Sequence, residues 1–456
     1  MNTKCNDKQL ELQGLGKRKI LITNDAEVSS SDGGLVLLHQ IEQRYGIIDR
    51  LVGCFMDRRH QSWVSHSVKT LLSQRILGLC QGYEDLNDHD EWRKDPLLSL
   101  FCGNEDGSYV AGKSTLNRLE LGKEVTEDYG SRYNKITWDD EKIEDLFIDL
   151  FLDSFARAPK EIILDFDATD DPLHGEQEGR FFHGYYDCYC YLPLYVFSGP
   201  YLLTAKLRSS NIDASAGSVE VLEKIVAKIR DRFPKVRIIM RGDCGFCRDA
   251  IMSFCEQHGI YYLFGLARNK RLQKAIGADM HQVKQLCEQT LESQRQFKEL
   301  IYRTQKSWSR KRRVIAKVEH LQKGENPRFI VTNLPRKFWP AQMLYEEIYC
   351  ARGDMENRIK EQQLYLFADR TSTGWMSSNQ LRLWFSSFAY MFFVLLREKA
   401  LADSEWNRSQ ASTLRLKLLK VSAVVKVTTR AVRVRLPYAY PYWDAWIQFT
   451  EAFCFS

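Results

Sequence analysis

Three positions on one stretch of the chain are spaced for work on phosphate. In YEEIYCARGDMENRIKEQQ, residues 345–363, Tyr349, Arg352 and Glu356 fall at i, i+3 and i+7. At helical pitch that spacing puts them on one face. Arginine grips phosphate oxygens in fork geometry, and glutamate offers the hard oxygen that Mg2+ prefers. Two further acids sit at the ends of apolar runs, Asp167 in EIILDFDATD and Asp243 in VRIIMRGDCGF. Such runs read as strands, and in open α/β sheets chemistry gathers at strand ends. Two aspartates and a glutamate converging on two divalent ions about 4 Å apart would activate an attacking oxygen and stabilise a leaving one in phosphodiester chemistry. Each residue alone has an ordinary reading, as an exposed Arg–Glu helix pair or an acid that caps a turn; the set is what points to chemistry. Asp165 competes with Asp167, because the two point the same way on a strand. Asp170 and Asp171 belong to the following turn.

A second pattern points elsewhere. GSYVAGKST, residues 107–115, satisfies G-x-x-x-x-G-K-[ST] through Gly107, Gly112, Lys113 and Ser114. In a nucleotide-binding loop that pattern follows a buried strand and opens a helix. Here CGNED separates the apolar segment Leu97–Phe101 from Gly107, and the four variable positions hold no extra glycine. The better reading is a turn at Gly112 and a helix capped by Ser114, the kind of turn and helix that a DNA-recognition domain uses.

These residues need elements to hold them. A length of 456 residues allows two to four domains, and 44% hydrophobic with 27% charged residues excludes a disordered chain. The net charge of +6 is unevenly spread: residues 301–345 carry eleven Lys/Arg against Glu319 and Glu325, and residues 407–435 carry eight with no acid. Local excess of this kind fits a polyanionic partner, with solvated faces as the bland alternative. The twelve cysteines, without a signal-peptide core at MNTKCNDKQLELQG, fit free thiols in a reducing cytosol. Cys188, Cys190, Cys244 and Cys247 read as buried thiols rather than zinc ligands. The run Leu383–Leu396 is too short for a membrane span and reads as a buried helix. Residues 1 to about 155 read as mostly helical, with Ser31-Asp32 as a helix cap and the acids and His89 of GYEDLNDHDEW in a solvated turn. Residues 160–270 read as three strands, helix, strand, helix, strand, an α/β core. Residues 271–339 begin helical and continue as polar strands (FKELIYRT, RRVIAKVEHL, PRFIVTNL), residues 341–400 are helical again, and the tail holds a strand-like VVKVTTRAVRVRLP.

With these motifs in place, the chain resembles the DDE transposases of bacterial insertion sequences, in the branch with a Y-x2-R-x3-E-x6-K signature helix. YCARGDME matches that signature at Tyr349, Arg352 and Glu356; LDFDAT resembles the first-Asp strand, its D-x-T favouring Asp167; RGDCGF resembles the second, with Asp243. SSDGG near residue 32 and GYEDLNDHDEWRKDPLL resemble N-terminal segments of one subfamily, so the likeness covers nearly the whole chain. The resemblance implies an α/β fold with an RNase H-like catalytic core interrupted by a β-rich insertion, and an N-terminal helical DNA-binding domain. The implied domains are 1–157 for DNA binding, 158–270 for the first part of the core, 271–339 for the insertion, 340–402 for the second part with the signature helix, and 403–456 as a basic C-terminal segment. Asp167, Asp243 and Glu356 would be catalytic and bind Mg2+, or Mn2+ in its place, as two ions. Tyr349 and Arg352 would position DNA phosphates. The signature lysine would fall at position 363, where this chain has Gln363, and Lys360 one turn after Glu356 is a substitute phosphate contact. In the insertion, Trp308 lies among the basic Arg310, Lys311, Arg312 and Arg313, a set suited to DNA binding with Trp308 stacked on an unpaired base; a tryptophan that packs on its own strand is the competing and slightly favoured reading of that residue. The implied activity is metal-dependent hydrolysis at element ends, then attack of the freed 3′-OH on target DNA. The partners would be double-stranded DNA, as terminal inverted repeats bound by the N-terminal helices and as target, and a second copy in a synaptic dimer, without a membrane, in the cytoplasm at a bacterial nucleoid. Two alternatives accompany this reading: a non-catalytic DNA-binding protein derived from a transposase, to which Gln363 points, and a P-loop ATPase acting on DNA through Lys113 and Ser114.

Overall fold

The structure, a computed structural model, describes residues 9–15, 18–104, 106–123 and 135–454; Cys5 lies outside them. Its largest feature is a nine-stranded mixed sheet. Eight strands form its path: β1 (Glu161–Ala168), β2 (Leu194–Ser198), β3 (Tyr201–Lys206), β4 (Arg237–Gly242), β5 (Tyr261–Leu266), β6 (Gln294–Tyr302), β7 (Arg312–Leu321) and β8 (Arg328–Thr332). The spatial order is β3-β2-β1-β4-β5-β8-β7-β6, with the short Gly324–Glu325 strand beside β7. β1, β4 and β5 run parallel, and every other pairing along the path is antiparallel. Helices α1 (Ser218–Arg232) and α2 (Asp249–Gln257) supply the crossovers that parallel neighbours require. The succession expected for residues 160–270 is present, with a small three-stranded sheet inserted between β1 and β2.

The parallel register of β1 and β4 brings their acid-bearing ends level. Ile163 pairs with Ile239 and Asp165 with Arg241. Alternate residues of a strand share a face, so Asp167 and Asp243 continue this ladder one step past the last pair, Phe166 and Gly242. On the same face Ile239, Leu263, Ile315 and Ile330 form a core with Leu344 and Tyr345, against which Ile163, Ile348 and Tyr349 pack. That core seats the segment 341–366 across the sheet. Residues Ile162, Leu164 and Phe166 take the other face and are fully buried, Phe166 against Phe246. Strands buried on both faces read as the near-continuous apolar runs seen in EIILDF and VRIIM.

Residues 271–339 contribute helices Lys270–Ala275 and Gly277–Thr290 and then β6, β7 and β8. β8 pairs with β5, β7 with β8 and β6 with β7, so these strands widen the sheet.

The described chain divides into two compact units, one of Met1–Ile48, Gln61–Asn117 and Leu395–Ser456, the other of Asp49–His60 and Arg118–Val394. These units cross the expected boundaries at 157 and 402: residues 118–157 fall with the large sheet, and the tail falls with the N-terminal helices. The N-terminal segment is also less helical than expected, opening with the antiparallel strands Gln9–Leu15 and Arg18–Thr23.

In the first unit the SSDGG segment is a joint rather than a helix cap. Asp32 is fully buried and pairs with Lys420 at 2.8 Å, and it accepts hydrogen bonds from Tyr83 and the Trp92 indole, both at 2.9 Å. The helix Leu35–Tyr45 has no side-chain cap. Gly33 and Gly34 donate their N–H groups to the carbonyls of Val421 and Leu419. The GYEDLNDHDEW segment is only partly a solvated turn, because His89 and Trp92 are buried and His89 meets Gln74 at 3.2 Å.

The glycine-lysine motif is likewise occupied by its own chain. The Asp90 carboxylate accepts the backbone N–H of Lys113 at 2.9 Å, where the helix Lys113–Glu120 starts, and the Lys113 ammonium reaches Asn87 at 3.0 Å and Asp90 at 3.5 Å. An acid therefore stands where a phosphate would, and it, not Ser114, caps the helix. No helix among the described residues is long and apolar enough to cross a membrane.

A β-carbon on Gly34 would stand 2.3 Å from the Leu419 Cα and 2.5 Å from the Leu418 carbonyl oxygen, both backbone atoms. Gly34→Ala should therefore destabilise the first unit by about 1–3 kcal/mol, the overpacking range. Thermal unfolding followed by tryptophan fluorescence checks this, and an unchanged Tm would refute it.

Candidate catalytic centre

The centre is built at the carboxyl ends of β1 and β4, under the segment 341–366. The ladder there passes from apolar to charged. Its middle rung, Asp165 and Arg241, is buried, with both guanidinium–carboxylate bonds formed, Nε to Oδ1 at 2.6 Å and Nη2 to Oδ2 at 2.7 Å. Arg241 also donates to the Ile348 carbonyl oxygen, which ties the overlying helix to both strands. Asp165 is thus engaged in structure, and Asp167 is the acid left facing the site.

The overlying segment is not one uniform helix. It opens as Ala341–Met343, widens to a π-helical turn over Leu344–Tyr349, tightens to a 3-10 turn over Cys350–Arg352, and continues as α3 (Gly353–Leu366). Wide turns of this kind recur at functional sites because they re-aim side chains. Here Arg352 is brought between two acids: Nη1 lies 3.1 Å from Asp167 Oδ2 and Nη2 lies 2.9 Å from Glu356 Oε1. The Arg352 and Asp167 side chains are only 14% and 16% exposed, while that of Glu356 is 51% exposed. Burial raises the Asp167 carboxyl to about 6; Arg352 opposes that rise, and the negative charges of Asp243 and Glu356 add to it. Asp167 therefore feels the charges of both other sequence-predicted acids, although among the described residues no set of three His, Cys, Asp or Glu groups is close enough to hold an ion.

Asp243 ends β4 with its carboxylate accepting the Gly245 N–H at 2.8 Å. It lines a cavity of about 410 Å3 with Cys244, Gly265, Arg268, Arg328, Tyr345 and Tyr349. Tyr349 fits there because of Gly265: a β-carbon at that position would meet its hydroxyl at 2.6 Å. Burial raises the Tyr349 hydroxyl above its ordinary value. Sequence reasoning misses Gly265, although a glycine inside the strand YYLFGL is a signal of close approach.

The other sequence candidates separate. Lys360 is exposed on α3. Gln363 donates to the Asp170 carbonyl oxygen at 3.0 Å, so it braces the turn after β1. Trp308 is buried, edge-on to Tyr302 at 5.7 Å and under the Arg312 guanidinium, and does not present a face to a base. Arg312 is buried in ion pairs with Asp249 at 2.6 Å and Glu256 at 2.8 Å. Arg313 pairs with Glu299 and donates to the Leu334 and Trp339 carbonyl oxygens. These three are framework residues, which leaves Arg310 and Lys311 as the exposed members of that basic run. The four cysteines do not assemble either: Cys190 and Cys247 are buried, Cys188 is partly so, and Cys244 is exposed beside Asp243.

A family model described as Transposase DDE domain group 1 matches residues 12–453. The chain belongs to that family. No curated protein sequence matches it. Among solved structures, the cryo-EM structure of a piggyBac transposase synaptic complex with hairpin DNA is similar with a TM-score of 0.43, at 10% identity, over 86% of this chain and 80% of that one. For a DDE transposase family member, the donor set at the ladder's end suits a hard divalent cation, since carboxylate oxygens are what such ions take.

Two predictions come from this geometry. Removing one member of the buried Asp165–Arg241 pair leaves the other uncompensated, a loss of about 3–5 kcal/mol. Asp165→Ala should therefore lower the urea midpoint strongly, and Asp165→Ala with Arg241→Met should recover part of the loss; a double variant that loses as much as the two single variants summed would show that the pair is not coupled. The second concerns pH. The folded Asp167 value, about 6, lies above the ordinary 3.8, so the native state binds the extra proton and stability falls as pH rises through 6. In EDTA, Asp167→Asn should match the wild type near pH 4 and exceed it in stability above pH 6. Parallel stability curves from pH 4 to 7.5 would contradict this.

Proposed function

We propose that this protein is a DNA transposase that cuts and rejoins phosphodiesters with Asp167, Asp243 and Glu356 as its carboxylates. The observation that carries the reading is Arg352 bonded at once to Asp167 and Glu356, at the end of the strand beside Asp243. Asp167 is raised chiefly by burial and further by the charges of Asp243 and Glu356, against the pull of Arg352, and such perturbation is characteristic of functional sites. Asp167, Asp243 and Glu356 would hold Mg2+, which when bound would activate the attacking oxygen and stabilise the leaving one. Arg352 has a second use, since a guanidinium that releases a carboxylate can take a phosphate in the same fork geometry. Tyr349, at the wall of the Asp243 cavity, would position the adjoining DNA strand. The order β3-β2-β1-β4-β5, three antiparallel strands followed by two parallel ones, supports reading this part of the sheet as an RNase H-like core, with β6, β7 and β8 as its insertion. The helical first unit would recognise terminal inverted repeats, and two copies would bring two element ends together.

The test is an end-cleavage assay without ATP, using labelled DNA from the flanks of the gene and Mg2+ or Mn2+. Wild type should cut at the repeat tip, while Asp167→Asn, Asp243→Asn and Glu356→Gln should each lose on the order of 10²–10³-fold or more in rate. Gln363→Lys should not be needed for cutting, because Gln363 braces the chain. DNA binding without cleavage in either metal would replace this reading with that of a non-catalytic derivative.

A further inference from the structure

The basic tail bears on the transposase reading, on which the inference drawn from it rests. Eight Lys and Arg residues and no acid lie between Asn407 and Arg435, and the structure sorts them. Arg415 donates to the Leu79 and Cys80 carbonyl oxygens at the end of the helix Val68–Gln81. Lys417 lies over the Trp406 and Tyr442 rings at 5.4 and 5.3 Å. Lys420 holds the buried Asp32, and Arg435 pairs with Glu27. Apart from Arg408, the remaining cations gather on one antiparallel hairpin, β9 (Ala423–Thr428) and β10 (Ala431–Arg435).

The register of this hairpin places Lys426 directly opposite Arg433, with Arg430 in the turn. Like charges facing each other across two strands destabilise the pairing. All three side chains are exposed, and among the described residues no acid pairs with them. The alternation sends Val425, Val427, Val432 and Val434 to the other face, where Val427 and Val432 line a groove of about 1150 Å3 together with Lys69 and Thr70. The valine face and the cationic face are therefore segregated. A folded hairpin that holds repelling cations together in water lacks a partner of opposite charge.

We propose that the β9–β10 hairpin is a clamp for the phosphate backbone of duplex DNA, with Lys426, Arg430 and Arg433 as its contacts. It supplies affinity and orientation without reading sequence, because phosphate contacts position a protein while base contacts specify. The hairpin itself, residues 423–435, has no amide or carboxylate side chain, and the neighbouring Glu27 is held by Arg435, so base-edge recognition falls to other parts of the chain.

The experiment measures duplex binding by fluorescence anisotropy from 50 to 200 mM KCl, for the full-length wild type, the triple variant Lys426→Ala, Arg430→Ala, Arg433→Ala, and the single variant Lys426→Glu. Each lost phosphate contact reduces the slope of log K against log salt by about 0.9, so the triple variant should lose up to about 2.7 in slope, equally on terminal-repeat and scrambled duplexes. Lys426→Glu separates a lost contact from a lost fold. It replaces a cross-strand repulsion by an attraction, so its Tm should rise while its DNA affinity falls. A triple variant with the wild-type slope, or a Lys426→Glu protein that binds as well as wild type, overturns the clamp and leaves the transposase reading intact. A wild type that binds no duplex at all overturns both.

Discussion

The candidate centre depends on one buried guanidinium. Arg241 is held by both oxygens of Asp165 on the neighbouring strand and donates to the Ile348 carbonyl on the helix above. Three elements far apart in sequence are thereby fixed at one point, just below the acids that face the site. A buried ion pair is weak as a source of stability, because desolvation offsets its attraction. Its value here is geometric. Bidentate bonding fixes rotation as well as distance, so the strand register and the height of the helix are set together, and with them the directions of Asp167, Asp243 and Glu356.

One rung further out the same chemistry recurs with a different balance. Arg352 also meets carboxylates, but two of them from different elements, at a boundary where Glu356 is half in solvent. The inner pair is complete and closed. The outer group gathers three negative charges around one cation, and the burial of Asp167 makes that deficit costly. The ladder thus runs from isoleucine to a closed ion pair to an open acid group.

Much of this is readable from sequence, and the reason is periodicity. LDFD and MRGD alternate at period two, which puts Asp167 and Asp243 on one face, and YCARGDME has helical spacing, which puts Tyr349, Arg352 and Glu356 together. Partnerships between distant residues are not readable. Nothing local distinguishes Asp165 from Asp167, and only the Arg241 register shows which is closed. Trp308, Arg312 and Arg313 sit in a run that looks like a nucleic-acid contact, yet their partners Asp249, Glu256 and Glu299 lie elsewhere in the chain. Charge runs report composition; only the fold shows which charges already have counterions. The burial of His89 is hidden for the same reason, since the helix that covers it precedes it by a turn that local polarity disguises.

The joint between Gly33-Gly34 and residues 419–421 carries a consequence for how the protein is made. The residues that complete the first unit are separated by the whole of the second, whose chain ends at Val394. During synthesis the large sheet, with all three acids, has left the ribosome before the strap that meets Asp32 exists. The N-terminal helices must wait, unfinished, for Lys420 to emerge. A message cut short after Val394 would yield a chain that keeps Asp167, Asp243 and Glu356 and lacks the residues that meet Asp32, Gly33 and Gly34, so the first unit is left unclosed while the large sheet is whole.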